Sequence, residues 1–336
     1  MTFVFAAKRV AAVLVAAAAL SACSTGATSD HASSEALVVV THESFDLPVD
    51  LKEQFAAEHE LDVTYVAPGD AGALVNQLIL TKDTPLGDVV FGIDNTFSAR
   101  ALEAGIISEE GGEALVAVDF GDVCINADLE WFEDNDLAVP DTLDDLTDPD
   151  YEDLLVVSNP ASSSPGLAFL IASIGAKGED GWLDYWDGLV ANGAKIVPGW
   201  SDAYHGEFSG GEGDGTRPLV VSYSSSPAFT LTADAASSTT AALPGTCFRQ
   251  TEYAGVIEGA SNPDGARQFI DFLLSAEVQA AIPDAMYMYP VDDDVQLPEA
   301  WAEFAPLATD PIQVAEEEIS ANRDDWLETW TEHVIG

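Results

Sequence analysis

The segment Val197-Pro-Gly-Trp-Ser-Asp-Ala-Tyr204 ends a short apolar run with one large aromatic residue and then begins a helix with small residues. Further along, Val220-Val-Ser-Tyr-Ser-Ser-Ser-Pro-Ala-Phe229 repeats this arrangement. The pattern places Trp200 and Tyr223 where a strand has just ended, at the mouth of a cleft. Aromatic faces beside helix N-termini suit a flat, partly charged small molecule. The two segments therefore predict a binding cleft between secondary-structure elements.

Upstream of these segments, short β-rich runs alternate with amphipathic stretches, which is typical of α/β proteins. The pattern predicts strands at 37–41, 61–66 and 88–91, and helices at 48–59 and 71–80. Each strand is followed by a polar or glycine-bearing loop, and these loops lie at 41–44, 68–72 and 92–95. Because ligands collect at the carboxyl ends of parallel strands, we expect the loops to contribute to the cleft.

The rest of the chain continues the alternation. Strands are predicted at 154–157, 195–197 and 218–221, and helices at 128–133, 142–146, 166–174, 181–190 and from 227. Ser164 and Ser201 are predicted helix N-caps. A strand pair at 247–257 is expected to return the chain to its first part, followed by helices at 262–274 and 276–282 and a helical segment at 298–335. In that last segment, Trp301, Trp326 and Trp330 are expected to pack inside.

The length of 336 residues exceeds what one hydrophobic core usually organises, so two lobes are expected. The first lobe is assigned to 36–118 together with 254–336, and the second to 119–253. The chain crosses between them near 118–121 and 251–255.

The N-terminal residues have the pattern of an export signal. Lys8 and Arg9 precede an uncharged run that is too short to span a membrane stably and that ends in Leu20-Ser-Ala-Cys23. This end resembles the lipobox of bacterial lipoproteins, which implies removal of residues 1–22 and a lipid on Cys23. An ordinary signal peptide with an incidental cysteine is the alternative. Residues 23–35 are predicted to form a flexible tether, with the mature protein anchored to the outer face of the membrane.

Acidic residues far outnumber basic ones, with 59 Asp and Glu against 11 Lys and Arg. Such a surface repels nucleic acid, so a phosphate-backbone partner is excluded. The acidic groups also repel one another, and salt screens that repulsion, which predicts a salty environment.

Two cysteines remain once Cys23 is assigned to the lipid. Cys124 and Cys247 both lie in short extended runs, and an oxidising compartment outside the cytoplasm favours a disulfide between them. Two separate buried thiols are the alternative.

Signals for catalysis and for metal or cofactor binding are missing. The five histidines are scattered without metal-ligand spacing, and no hydrolase elbow or phosphate loop is present. What remains is a set of aromatic and polar residues at predicted strand ends. The candidate ligand-binding residues are His42, Glu43, Asp94, Asn95, Ser163, Ser164, Trp200, Tyr204, Tyr223 and Tyr287.

Several stretches resemble, in order and spacing, the periplasmic thiamine-binding proteins of ABC importers, which belong with ferric-ion and polyamine binders. These stretches are Val40-Thr-His-Glu-Ser-Phe45, Asp88-Val-Val-Phe-Gly-Ile-Asp-Asn95, Asn159-Pro-Ala-Ser-Ser-Ser-Pro-Gly-Leu167, Gly199-Trp-Ser-Asp-Ala-Tyr204, Ser222-Tyr-Ser-Ser-Ser-Pro-Ala228 and Ala281-Ile-Pro-Asp-Ala-Met-Tyr-Met-Tyr-Pro-Val291. The resemblance implies a two-lobed α/β periplasmic-binding-protein fold of type II. It also implies a monomer that takes up thiamine, carries out no reaction, and delivers the ligand to the permease subunits of an ABC transporter.

By the same resemblance, Trp200 and Tyr223 fall on aromatic positions that hold thiamine, and Asp94 and Asn95 fall on an acid-amide loop of the first lobe. Ser163 and Ser164 fall on a loop that receives a phosphate or hydroxyethyl tail. Three positions depart from the family. His42 replaces a tyrosine, Tyr287 replaces a common tryptophan, and Ala161 replaces an arginine, which weakens the case for phosphorylated ligands.

Alternatives remain open at this point. Polyamine binders also use aromatic and acidic residues, whereas ferric binders need clustered oxygen ligands such as adjacent tyrosines. Thiaminases resemble this fold and use a cysteine nucleophile, for which Cys124 is the nearest candidate, and a disulfide to Cys247 would make it unreactive.

Overall fold

The computed structural model describes residues 35–110, 112–211 and 213–336. The predicted signal peptide at 1–22, the predicted lipidation of Cys23 and the tether up to residue 34 lie outside the described residues. Within the described ranges, no helix combines the length and apolar character needed to cross a membrane.

One mixed sheet runs through the described part of the chain. Its strands are β1 (Glu35–Thr41), β2 (Leu61–Val66), β3 (Val89–Asp94), β4 (Val116–Asp128), β5 (Leu155–Ser158), β6 (Lys195–Val197), β7 (Leu219–Tyr223), β8 (Thr240–Ala242), β9 (Phe248–Val256) and β10 (Tyr289–Pro290). The order across the sheet is β2-β1-β3-β9-β4-β7-β5-β6, and β8 and β10 both pair with β4.

Helices occupy most of the connections between strands. They are α1 (Val49–Glu58), α2 (Ala71–Leu80), α3 (Ser98–Glu103), α4 (Leu129–Asp134), α5 (Ser164–Lys177), α6 (Trp182–Ala191), α7 (Pro263–Leu273), α8 (Ala276–Met286), α9 (Trp301–Phe304) and α10 (Glu316–Trp330). Short 3-10 turns lie at Asp145–Thr147, Pro149–Tyr151, Ser226–Phe229 and Pro244–Thr246, and π-helical turns at Asp202–Glu207 and Thr331–Ile335. The predicted α/β class is confirmed.

Two groups of parallel strands are joined by two long antiparallel ones. β1, β2 and β3 are parallel in one group, and β5, β6 and β7 in the other. Between them β4 and β9 pair with each other, β3 pairs with the C-terminal part of β9, and β7 pairs with the C-terminal part of β4. Strands covered on both faces are rich in Val, Leu and Ile, and β1 shows this with Leu37, Val39 and Val40 fully buried.

The C-terminal helix α10 packs against both groups. The Arg323 guanidinium lies 4.5 Å from the ring centroid of Phe97, near the first group. The Trp330 ring meets that of Trp186, on α6 in the second group, at 5.3 Å. Trp301, Trp326 and Trp330 are all buried, as predicted.

Four element predictions are wrong. The predicted helix from 227 is only the 3-10 turn Ser226–Phe229. The predicted strand pair at 247–257 is the single strand β9. The predicted helix at 142–146 is only the 3-10 turn Asp145–Thr147, because Asp148, which precedes Pro149, has an extended backbone that ends it. The predicted helix at 298–335 is broken between α9 and α10, where Pro306 and Pro311 interrupt it.

Candidate functional site

A cavity of about 400 Å³ lies where β1, β7, β9 and the N-termini of α2 and α5 converge with the end of α8. This volume falls within the usual range of small-molecule sites. The cavity is lined by His42, Glu43, Ser44, Phe45, Asp46, Asp70, Ser164, Pro165, Trp200, Ser201, His205, Tyr223, Glu252, Ala285, Met286, Tyr287 and Met288. Six of the ten predicted ligand-binding residues are among them, namely His42, Glu43, Ser164, Trp200, Tyr223 and Tyr287.

Trp200 lines the cavity, and contacts with Tyr204 and Ser222 fix the orientation of its ring. Its ring stacks on Tyr204 at 5.2 Å with an interplanar angle of 12°. Its indole N–H donates to the Ser222 hydroxyl at 2.9 Å. Tyr204 was predicted to touch the ligand, but it does not line the cavity and instead supports Trp200.

Tyr223 and Tyr287 complete the aromatic wall from distant parts of the chain. Their ring centroids lie 6.1 and 6.0 Å from that of Trp200. Tyr287 ends α8 in a left-handed backbone conformation with a φ of 63°, and its ring stacks on Phe229 at 3.7 Å. The Ser225 hydroxyl donates to the Tyr287 carbonyl, which ties this turn to the segment that follows β7.

His42 lies at the carboxyl end of β1, directly above Gly92. A Cβ at position 92 would come within 2.0 Å of the imidazole, so only glycine leaves room for it. The Ser44 N–H donates to Nδ1 at 3.2 Å, which places the ring proton on Nε2, 3.5 Å from the Glu252 carboxylate. Burial disfavours the charged imidazole, but the nearby carboxylates, chiefly Glu252, outweigh burial and raise the pKa of His42.

Glu252 lines the cavity and belongs to a buried polar network. The Gln250 side-chain amide donates to Glu252 at 3.0 Å and to the Tyr223 hydroxyl at 3.3 Å. Asp119 lies opposite Glu252 in the β4–β9 register, and burial together with the Glu252 charge raises the pKa of Asp119 well above its usual value.

The cavity is electronegative. Glu43, Asp46, Asp70 and Glu252 all line it, and the lining residues that the structure describes include no lysine or arginine. Partial burial, followed by the charges of Asp70 and Asp202, raises the pKa of Glu43. A positively charged ligand therefore finds compensating charge here, whereas an anion does not.

Two helix N-termini face the cavity from the second strand group. Ser163, not Ser164, is the N-cap of α5; its hydroxyl bonds to that of Ser158 at 2.9 Å and it is fully buried, away from the cavity wall. Ser164 is the first helical residue and lines the cavity. The predicted cap Ser201 has helical backbone angles and makes no capping bond, and Asp202 accepts the Gly199 N–H at 3.2 Å instead.

Asp94 and Asn95 were predicted to line the cleft, and the structure places them elsewhere. Oδ1 of Asp94 accepts the N–H of Thr96 at 2.6 Å and that of Phe97 at 3.1 Å, so this carboxylate caps the turn before α3 and is fully buried. Asn95 pairs with the backbone of Arg249 and Thr251 on β9. The prediction assigned 92–95 to a loop that reaches the cleft, whereas Asp94 ends β3 and Asn95 lies in the turn after it.

Cys124 and Cys247 are joined by a disulfide, and neither lines the cavity. The bond leaves Cys124 without the thiolate that a nucleophilic cysteine needs. In the ranges that the structure describes, no group of three or more His, Cys, Asp or Glu residues is placed to hold a metal ion.

Sequence reasoning missed Asp70 and Glu252 as individual site residues. Asp70 lies in the loop at 68–72 that was expected to reach the cleft, and it immediately precedes a predicted helix, as an N-cap does. Glu252 lies within the predicted crossing segment at 251–255, in a strand where no local pattern distinguishes it from other carboxylates.

Residues 98–310 match the family of bacterial extracellular solute-binding proteins. The chain is 30% identical, over 88% of its own length and 92% of the relative's, to the thiamine-binding periplasmic protein of Escherichia coli (strain K12). A solved periplasmic thiamin binding protein superposes with a TM-score of 0.78 at 26% identity, covering 89% of this chain and 96% of the other. The ferric binding protein from Campylobacter jejuni, at 15% identity and a TM-score of 0.70, covers 88% and 99% and shares the fold.

Proposed function

The chain belongs to the bacterial extracellular solute-binding proteins, and on that premise we propose that its ligand is thiamine, which it delivers to the membrane subunits of an ABC importer. The fold is the two-lobed type II fold of periplasmic binding proteins. The family consists of binding proteins and not of enzymes, so the cavity is a capture site.

The observation that carries the proposal is the pairing of three aromatic rings with carboxylates in one cavity. Thiamine combines a flat aminopyrimidine with a permanent thiazolium cation and a hydroxyethyl tail. Trp200, Tyr223 and Tyr287 supply faces for stacking and for cation–π contacts, each of about 0.5–2 kcal/mol. Glu43 and Glu252 supply negative charge for the cation or the amino group.

We place the lobes at 36–118 with 254–336, and at 119–253, with hinge bending where β4 and β9 cross. In support, Asp119 of β4 pairs with Glu252 of β9 in this region, and Glu252 also lines the cavity. Closure around the ligand would therefore act on the same strands that hold the buried carboxylates.

We also propose that the mature protein is a monomer anchored by lipid on Cys23, so a Cys23→Ser precursor should lose incorporation of radiolabelled fatty acid in the producing bacterium.

Titration calorimetry of the mature protein in high salt tests the ligand. We expect thiamine to release heat with a dissociation constant below tens of micromolar, and spermidine to bind at least tenfold more weakly because an aliphatic chain offers no ring to stack. Absence of heat with thiamine at tens of micromolar would contradict the proposal. Tighter binding of spermidine would instead assign the cavity to a polyamine.

A further inference from the structure

The imidazole of His42 makes a hydrogen bond that exists only while the ring is neutral. Its Nδ1 atom accepts the backbone N–H of Ser44 at 3.2 Å. An imidazolium carries a proton on both ring nitrogens and cannot accept this bond. Ser44 belongs to the loop 43–46, and all four residues of that loop line the cavity. The loop geometry in the structure is therefore the one that neutral His42 supports.

The charges around the ring favour its protonated form instead. Nε2 lies 3.5 Å from the Glu252 carboxylate. The carboxylates that act on the ring come from β9, the loop before α2 and the loop 43–46, and they are those of Glu252, Asp70 and Glu43. On the β3 side the ring packs against two uncharged residues, Gly92 and Phe91. The other titratable residues in the cavity lining are Asp46, His205, Tyr223 and Tyr287. Burial lowers the pKa of His42, but the carboxylates outweigh burial and raise it.

A cationic ligand can supply the positive charge that the proton supplies. Nε2 of His42 makes no hydrogen bond with the residues that the structure describes, so charge alone holds it near Glu252. Another cation in the cavity can replace that interaction. Two cations in one partly enclosed cavity repel each other, whereas a neutral imidazole leaves Glu252 available to the ligand. Ligand binding and neutral His42 therefore favour each other.

We propose that the cavity exchanges a proton for its cationic ligand, with His42 as the group that releases the proton. This inference rests on the proposed function. In the protein without ligand, the carboxylates hold the proton on His42, and the Ser44 N–H cannot bond to the ring. When the cation binds beside Glu252, His42 becomes neutral, and its Nδ1 atom then accepts the Ser44 N–H and positions the loop 43–46. Affinity therefore falls as the pH falls, because protons compete with the ligand.

Titration calorimetry with thiamine at pH 6, 7 and 8, in constant high salt, tests the exchange. The thiazolium charge is permanent and does not titrate in this range. We expect affinity at pH 6 to be weaker than at pH 8 by about fivefold or more. At pH 7, buffers with different ionisation enthalpies should show release of up to one proton per thiamine bound. In His42→Gln, which has no group that titrates here, affinity should differ by less than about twofold between pH 6 and pH 8.

His333→Gln is the matched control. The His333 imidazole also lies near a carboxylate, that of Asp187, at 2.8 Å, but His333 does not line the cavity. This variant should retain the pH dependence and the proton release of the wild type. If His42→Gln does not fold, His42→Tyr replaces it, since tyrosine keeps a ring and does not titrate between pH 6 and pH 8.

Each outcome bears on one proposal or on both. Thiamine binding without proton release, or a pH dependence that persists in the folded His42 variant, overturns the exchange at His42 and leaves the proposed function intact. Loss of the pH dependence in His333→Gln would also contradict it. Absence of thiamine binding to the wild type at all three pH values overturns the proposed function, and this inference with it.

Discussion

At the level of single residues, Trp200 is the ligand contact that the structure supports most directly. It is 8% exposed, stacks on Tyr204 on one face, and its indole N–H is held by Ser222. A fixed, nearly buried aromatic ring of this kind has the properties of a binding hot spot. Its immobilised ring costs little further entropy when a ligand stacks on it.

We therefore predict that Trp200→Ala weakens thiamine binding by about 2 kcal/mol or more, because stacking and cation–π contacts are lost together. Trp200→Phe keeps a ring and should lose less. Calorimetry measures both, and near-ultraviolet circular dichroism checks that each variant is folded. Unchanged affinity in folded Trp200→Ala would show that the ring serves packing only.

Asp94 is a residue whose role lies in stability and not in binding. Burial, opposed by hydrogen bonds from Thr96, raises the pKa of Asp94 to about 7. The folded state therefore keeps a proton that the unfolded chain releases near its usual carboxylate pKa of about 4. The resulting stabilisation is fully present below that value and is lost as the pH rises toward 7.

We predict that Asp94→Asn reduces the fall in unfolding free energy between pH 5 and pH 7 by up to about 2 kcal/mol. Asparagine retains an acceptor for the Thr96 and Phe97 N–H groups while removing the titrating group. Urea unfolding of both proteins at pH 5, 6 and 7 in constant high salt measures the difference. Identical pH slopes for the two proteins would contradict the assignment.

At the level of elements, the disulfide connects β4 to the residue before β9. The Cys124 and Cys247 positions are separated by 123 residues, so the bond restricts a long stretch of the unfolded chain. The nearby backbone is tied in as well, since Ile312 donates its N–H to the Cys247 carbonyl at 2.7 Å. This fixes the segment between α9 and α10 against the start of β9.

Replacing both cysteines by alanine should therefore lower the unfolding free energy by about 2–4 kcal/mol. Thiamine affinity should change less than threefold, because neither residue lines the cavity. Urea unfolding and calorimetry on the same preparation measure the two effects. A large loss of affinity with little loss of stability would mean that the bond instead sets the geometry of the cleft.

At the level of the whole molecule, the net charge of −48 destabilises the folded state through repulsion among carboxylates. Among the described residues, most ion pairs have at least one exposed partner and contribute little individually, as for Lys52 with Asp46 and Arg267 with Asp264. Repulsion among the unpaired carboxylates favours expansion of the chain, and salt shortens its range.

We predict that the unfolding temperature rises by roughly 5 °C or more between 0.1 and 1 M NaCl, as the screening length falls from about 10 to about 3 Å. Differential scanning calorimetry at several NaCl concentrations measures it. A flat or falling unfolding temperature would show that the acidic surface does not limit stability.

The sequence by itself was sufficient for the α/β class and for most strands and helices near the cleft, because the periodicity of apolar residues is local. β2 and α2 were predicted with the bounds that the structure has, and Trp200, Tyr223 and His42 were placed at strand ends that line one cavity. Resemblance to a family added the expectation of a two-lobed fold.

Only the tertiary structure decided which carboxylates take part in the site. Asp70 meets Ser164 and Trp200 across separations of 94 and 130 residues, and Glu252 meets His42 by pairing of separate strands. Asp70 precedes a predicted helix, as an N-cap does, but this local signal does not show that its carboxylate also reaches Ser164 and Trp200. In a chain with 59 acidic residues, no local pattern distinguishes Glu252 from Asp94, whose side chain turns inward to cap its own turn. The side chains that face the cavity are set by packing between distant segments, and that packing leaves no local trace in the sequence.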